Sequence, residues 1–154
     1  MPSYFFDSSG LVKRYAIETG SKWVFGILRP SAGNTIFVAR ITGAETVAAL
    51  ERKRKGNRLT VAQTSKAINR FQRHFTLRYQ KITITDNIIS SAMNYADKYE
   101  LRGYDAVQPA AAIEIEKELK TVGASGLIFV SADNDLNVAA FATGLLVENP
   151  NNYP

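Results

Sequence analysis

The 154-residue sequence contains no cysteine and a single histidine, His74. Without thiols there can be no disulfide, thiolate zinc site, iron–sulfur cluster or cysteine nucleophile. One imidazole excludes metal sites built on two histidines, and it leaves any Ser-His-Asp arrangement dependent on a residue inside a basic stretch. Long apolar runs are also missing. Nowhere do about 18 apolar residues follow one another, and the opening Met-Pro-Ser-Tyr-Phe-Phe-Asp has neither early positive charge nor an apolar run of secretory length. The expectation is a soluble, cytoplasmic protein with no membrane segment. Neither Gly-x-Gly-x-x-Gly nor Gly-x-x-x-x-Gly-Lys-Ser/Thr occurs, which counts against dinucleotide-binding and P-loop enzymes.

One stretch lacks charge of one sign. From Arg52 to Lys81 there are ten Lys or Arg and no Asp or Glu, so more than half of the chain's 19 basic residues sit there, although the net charge is only +5. Such a run reads either as a solvated face or as a surface for a polyanion or an acidic partner. The rest of the composition, 45% hydrophobic and 21% charged, is that of a folded protein. A chain of this length buries roughly 68 to 70% of its unfolded surface, enough for one domain spanning 1–154.

Apolar patterning alternates between short strands and helices. Tyr4-Phe5-Phe6 reads as a buried strand, followed by Asp7-Ser8-Ser9 as a cap and a helix from Ser9 to about Glu18. A second helix carries Trp23, Val24, Ile27 and Leu28, and Thr35-Ile36-Phe37-Val38 is the next strand. Thr42-Gly43-Ala44-Glu45 has the form of a capping box opening a helix that ends near Gly56. Thr60 to Phe75 repeats at helical spacing, so the basic stretch reads as an antiparallel helical hairpin, with Phe75 and Tyr79 as candidate stacking surface for a nucleic acid. Lys81–Ile84 is a short strand, and Thr85 caps a helix that Gly103 closes. Asp105 caps another helix running to about Lys120. Leu127–Val130, a helix starting at Asp133 and a last strand Leu145-Leu146-Val147 complete the pattern. Short strands separated by helices imply a mostly parallel sheet of four to five strands covered on both faces, an α/β architecture with ligands outside the carboxyl ends of the strands.

Four acids fall at that edge: Asp7 and Asp133 directly after strands, Glu45 in the first turn after the second strand, and Asp105 at a helix start. Each alone reads equally well as a helix-capping residue. Together they would repel one another and call for a hard divalent cation with oxygen ligands, magnesium or manganese.

The wording around these acids carries a resemblance. Tyr4-Phe5-Phe6-Asp7-Ser8-Ser9-Gly10-Leu11-Val12-Lys13, Glu45 in Thr42-Gly43-Ala44-Glu45-Thr46-Val47-Ala48-Ala49-Leu50, Asp105-Ala106-Val107-Gln108-Pro109-Ala110-Ala111-Ala112, and Phe129-Val130-Ser131-Ala132-Asp133-Asn134-Asp135-Leu136 resemble, in order and separation, the PIN-domain ribonucleases. The length and the closing Gly144-Leu145-Leu146-Val147-Glu148-Asn149-Pro150 are most similar to VapC-type toxins of prokaryotic toxin–antitoxin pairs. Pro109 departs from the pattern, standing where an apolar residue such as leucine is usual; inside a helix it removes one backbone hydrogen bond and restrains Gln108.

The resemblance implies a three-layer α/β/α PIN-like fold with a protruding helical hairpin. It implies a metal-dependent endoribonuclease in which Asp7, Glu45, Asp105 and Asp133 hold one or two Mg²⁺ or Mn²⁺ ions, with Asp135 as an additional acid and Ser9 and Ser131 as supporting hydroxyls. The implied hydrolysis leaves a 5′-phosphate and a 3′-hydroxyl without using the RNA 2′-OH as nucleophile. Arg52, Arg54, Lys55 and Arg58 are expected to contact RNA or a protein partner. A cognate antitoxin and a homodimer are the implied partners. The competing expectation is a catalytically silent PIN-like module that binds nucleic acid or a partner; the complete acid set speaks against it. Doubly wound phosphoryl-transfer domains need an Asp-x-Asp pair or a doubled acid after the first strand, and Phe5-Phe6-Asp7-Ser8-Ser9 supplies neither.

Overall fold

The strands owe their pairing to apolar residues on both faces. A computed structural model describes residues 2–124 and 126–154. Strand β1 (Ser3–Phe6) lies at the centre of a five-stranded sheet ordered β3-β2-β1-β4-β5, with β2 (Thr35–Ala39), β3 (Gln80–Ile82), β4 (Leu127–Val130) and β5 (Leu146–Glu148) all parallel. Phe5 pairs with Phe37 on one side and Phe129 on the other. Because side chains alternate along a strand, Phe5 and Phe129 enter one core while Phe6 and Val130 enter the other.

Helices cover both faces. Helices α5 (Asp86–Tyr99), α6 (Gly103–Thr121) and α7 (Asn134–Ala142) pack on the first face, where Ala106, Ala110, Ala111 and Ala112 let α6 approach the sheet closely. Helices α1 (Ser8–Leu11), α2 (Ser21–Leu28) and α4 (Val61–Leu77) cover the second face around Phe6, Leu11, Val24 and Phe71. Helices α3 (Thr42–Lys55) and α4 form the helical hairpin, held over α1 by Val12, Ala16, Leu50 and Ile68. This is the expected α/β/α arrangement. The chain runs outward from β1 through β2 to β3 and then resumes on the opposite side with β4, so the crevice between β1 and β4 is the point where strand order reverses.

Several local expectations are corrected. The first helix stops at Leu11 and continues only as a 3₁₀ turn, Val12–Arg14, instead of reaching Glu18. Lys13 is the cause: its ammonium is drawn inside to Glu18 and the Thr19 carbonyl, and Ser21 Oγ donates to the Lys13 carbonyl, removing it from a helical ladder. Thr42 is not a cap; α3 starts one residue early, behind Ile41 in helical conformation, and the Thr42 hydroxyl faces Gln108. Gly103 opens α6 instead of closing α5, which ends at Glu100 in the left-handed region (φ 54°). Arg102 is therefore the residue before α6, and Asp105 lies inside the first turn, where a carboxylate still meets the positive end of the helix. Pro109 is accommodated within an unbroken α6, although it deprives the Asp105 carbonyl of its i+4 donor. Tyr79 is buried with its hydroxyl against that of Tyr15, so it presents no stacking surface, and Phe75 is half-buried against Phe71.

Candidate active site

The carboxyl edge of the sheet opens into a cleft of about 660 Å³ whose lining includes Asp7, Ser9, Glu45, Arg52, Asp105 and Asp133. Asp7 follows β1 and is fully buried in a cage of donors. Its Oδ1 accepts from the Gly10 N–H at 3.0 Å and Ser9 Oγ at 2.8 Å, and its Oδ2 accepts from Ser131 Oγ at 2.9 Å. Each hydroxyl has one proton, so when both point at Asp7 the 3.2 Å contact between Ser9 and Ser131 carries none; the lone pairs accept instead, Ser9 from the Ala132 N–H and Ser131 from the Asp133 N–H. Gly10 is needed for this closeness, since a Cβ there would stand 3.0 Å from the Val130 carbonyl oxygen. Ser131 thus links the first acid to the last.

Glu45, freed from capping, extends from α3 towards α6. Gln108 Nε2 donates to its Oε1 at 3.3 Å, while Ser8 Oγ makes a long 3.5 Å contact with Oε2. Gln108 is itself fully buried and exchanges contacts with the Thr42 hydroxyl. Asp133 caps α7, its Oδ1 accepting from the N–H groups of Asp135 and Leu136.

The acids feel one another. Burial pushes the Asp7 carboxyl up to about 6 against the pull of its three donors, with Asp133 adding to the rise. Burial, then Asp7 and Asp105, raise Glu45 to about 7. Burial and Asp133 raise Asp105 as well. These couplings close a ring, Asp7 to Glu45 to Asp105 to Asp133 and back to Asp7. Oxygen donors with unbalanced negative charge fit a hard divalent cation. As positioned they surround the cleft without closing on one point: among the described residues, no three acidic or histidine side chains converge tightly enough to hold one ion. That openness suits Mg²⁺, which keeps several waters and takes one or two carboxylates together with substrate phosphate oxygens.

Other expected residues lie elsewhere. Asp135 is exposed and does not line the cleft, its link to the site being the backbone bond to Asp133. Arg54 pairs with Glu51 at 2.7 Å. Lys55 is exposed at the end of α3, and Arg58 lines a separate pocket with Lys66 and Arg70. Conversely, Ser8, Arg102, Tyr104 and Gln108 escaped the sequence reading. A polar Gln108 among alanines and valines, three residues past Asp105 and so on its helical face, was the available signal.

No family model matches the sequence. The chain is 29% identical over 147 residues to ribonuclease VapC45 of Mycobacterium tuberculosis, covering 96% of this chain and 95% of the relative. Among solved structures, VapC20 of Mycobacterium tuberculosis, described as a sarcin-ricin loop cleaving toxin, superposes with a TM-score of 0.59 at 15% identity, covering 93% of this chain and 96% of that one. VapBC2 of Rickettsia felis, solved bound to a DNA fragment from its promoter, gives 0.60 at 14% identity, covering 96% and 98%. The chain has the fold of VapC-type PIN domains. The resemblance carried by the four acidic motifs is borne out, and the acid-lined cleft is the part of this VapC-type fold where chemistry is to be sought.

Proposed function

We propose that this protein, a single PIN domain over residues 1–154, is a metal-dependent endoribonuclease hydrolysing RNA phosphodiester bonds, and the toxin of a toxin–antitoxin pair. The observation that carries the reading is the ring of four coupled carboxylates, delivered by four different elements to the crevice where strand order reverses. The name of the ribonuclease relative supports it.

Asp7, Glu45, Asp105 and Asp133 would hold Mg²⁺ or Mn²⁺, which when bound lowers the pKa of water and offsets charge developing on the scissile phosphate. Asp7 is fixed by Ser9, Gly10 and Ser131 so that its carboxylate cannot swing away when the cleft is empty. Gln108 fixes Glu45 from the side opposite the solvent, and an acid of the ring orients the attacking water. Asp135, exposed beside Asp133, is at most an outer acid. Hydrolysis of this kind leaves a 5′-phosphate and a 3′-hydroxyl.

The basic hairpin is the surface we assign to partners. Arg58, Lys66 and Arg70 line a pocket of about 410 Å³ with Tyr15 and Leu59, and Ile17 stands beside it 99% exposed, a combination suited to an acidic antitoxin segment with apolar anchors. Lys55 and Arg54 extend the same positive stretch. A homodimer is supported by the apolar groove between α5 and α6, where Ile89 and Met93 are exposed. No helix among the described residues is long and apolar enough to cross a membrane, and an RNA substrate sets the work in the cytoplasm.

The test is cleavage of structured and single-stranded RNAs by purified protein with Mg²⁺ or Mn²⁺, against EDTA and Asp7→Asn. Metal-dependent cutting that Asp7→Asn abolishes supports the reading; cutting that survives the substitution in clean preparations contradicts the site. Metal binding and RNA binding without cleavage would favour the silent module.

A further inference from the structure

The mouth of the cleft carries three side chains that the acid ring does not use: Arg52, Arg102 and Tyr104. Arg52 follows Glu45 by seven residues on α3, two turns along the same face and about 10 Å beyond the acid. Arg102 immediately precedes α6, and Tyr104 is the neighbour of Asp105, so both belong to the α6 wall. The two arginines are uncommitted. Among the described residues the ion pairs engage Lys13, Lys53, Arg54, Lys117 and Lys120, and neither Arg52 nor Arg102 takes part in one. Both are exposed, yet each is felt by its nearest acid: where burial and neighbouring carboxylates push Glu45 and Asp105 up, Arg52 pulls the first down and Arg102 the second. Tyr104 leaves its ring 66% exposed at the lip, one side on the cleft and the other on the groove lined by Ile89 and Met93.

A cleft ending in carboxylates repels a polyanion unless cations receive it first. A guanidinium on each wall does so, and its planar fork suits phosphate oxygens better than an ammonium would. An exposed ring beside such a pair offers a stacking platform to a base, and only an unstacked base has a free face to lay on it. We propose that Arg52, Arg102 and Tyr104 make the cleft a reader of unpaired, single-stranded RNA, the two guanidinium groups holding phosphates on either side of the scissile one while a base stacks on Tyr104. This rests on the ribonuclease reading and adds the form of the substrate.

The experiment uses full-length Asp7→Asn protein, which does not consume its ligand, and a short single-stranded RNA carrying 2-aminopurine, with the same strand in a duplex as comparison. Anisotropy should show the single strand binding at least tenfold more tightly than the duplex, with 2-aminopurine emission quenched on binding. Adding Tyr104→Ala should weaken binding about tenfold and remove the quenching, and Tyr104→Phe should restore both. Arg52→Gln and Arg102→Gln should each lower the slope of log affinity against log salt by about 0.7. Equal binding of duplex and single strand would overturn the proposal. So would a folded Tyr104→Ala protein that binds RNA as its parent does, including one that has only turned from dimer to monomer, since the ring would then belong to a subunit contact. The two readings fail separately: if the parent chain cuts RNA while these variants bind unchanged, only the present proposal falls, whereas a parent that neither binds nor cuts RNA removes the ribonuclease reading and this one with it.

Discussion

Two clusters of ionisable side chains share helix α3 and are built on opposite terms. In one, Glu18 lies between the ammonium groups of Lys13 and Lys53; burial would raise its carboxyl, but the lysine hydrogen bonds outweigh that and hold it below its ordinary value. Lys13 is only 5% exposed and has a carboxylate and a carbonyl to satisfy it. In the other, Asp7, Glu45, Asp105 and Asp133 gather with hydroxyl and amide donors but no ammonium or guanidinium in ion-pair contact, and Asp7 and Glu45 are driven up to about 6 and about 7. The chain supplies its own counter-ions where the charge is structural. It withholds them where a cation and a phosphate are to come from outside.

The largest effect that would break this contrast is on cleavage. Asp7→Asn keeps the cage of Ser9, Gly10 and Ser131 nearly isosteric, so the fold should stand while cleavage falls by at least about 10³-fold, the scale expected when electrostatic stabilisation is lost. A gel assay with matched circular dichroism decides it. Next in size is the balanced cluster. Glu18→Gln leaves the nearly buried Lys13 without its charge partner, and we expect a loss of about 2 kcal/mol in urea unfolding, below the 3–5 kcal/mol of a fully buried pair because Glu18 is 27% exposed. RNA cleavage by the surviving folded protein should be unchanged.

The two clusters should also respond oppositely to pH. The Asp7 carboxyl is raised in the folded state, so the unfolded chain releases its proton first; its contribution to stability is complete below about 3.8 and is lost as pH rises through about 6. Glu45 behaves alike, with the loss running up to about 7. Glu18 is held low, so its contribution is present above about 4.5 and disappears as pH falls. Without divalent metal at pH 8, Asp7→Asn should therefore be more stable than the parent, by about 1–3 kcal/mol, and thermal melts across pH should show the advantage vanish below pH 4. The smallest effect is the remedy: saturating Mg²⁺ should raise the parent's melting temperature by a few degrees and leave that of Asp7→Asn nearly unmoved. Equal shifts in both proteins would place the ion elsewhere.

What the sequence made legible was set by local chemistry. Phe5-Phe6, Phe37-Val38 and Phe129-Val130 announced strands buried on both faces, and an acid directly after the first and third of them announced the edge. Thr42 and Lys13 misled because distant partners decide their conformations: Gln108 takes the Thr42 hydroxyl 66 residues away, and Glu18 with Lys53 pulls Lys13 inside. Tyr79 looked like a stacking residue in a basic stretch, but its hydroxyl meets that of Tyr15, 64 residues earlier, in the second core. Arg52 was legible only as one of a run of basic residues. Its two-turn spacing from Glu45 gains meaning once Glu45 is known to face the cleft.

The most direct test of the central claim, that the acid ring is a charge deficit shaped for a cation, is calorimetric titration of the metal-free protein with Mn²⁺ near pH 6 in two buffers of different ionisation heat. Asp7 and Glu45 are largely or partly protonated there, so binding should release about one proton per ion, and Asp7→Asn should bind far more weakly and release fewer. Tight Mn²⁺ binding with no proton release, or binding indifferent to Asp7→Asn, would contradict it.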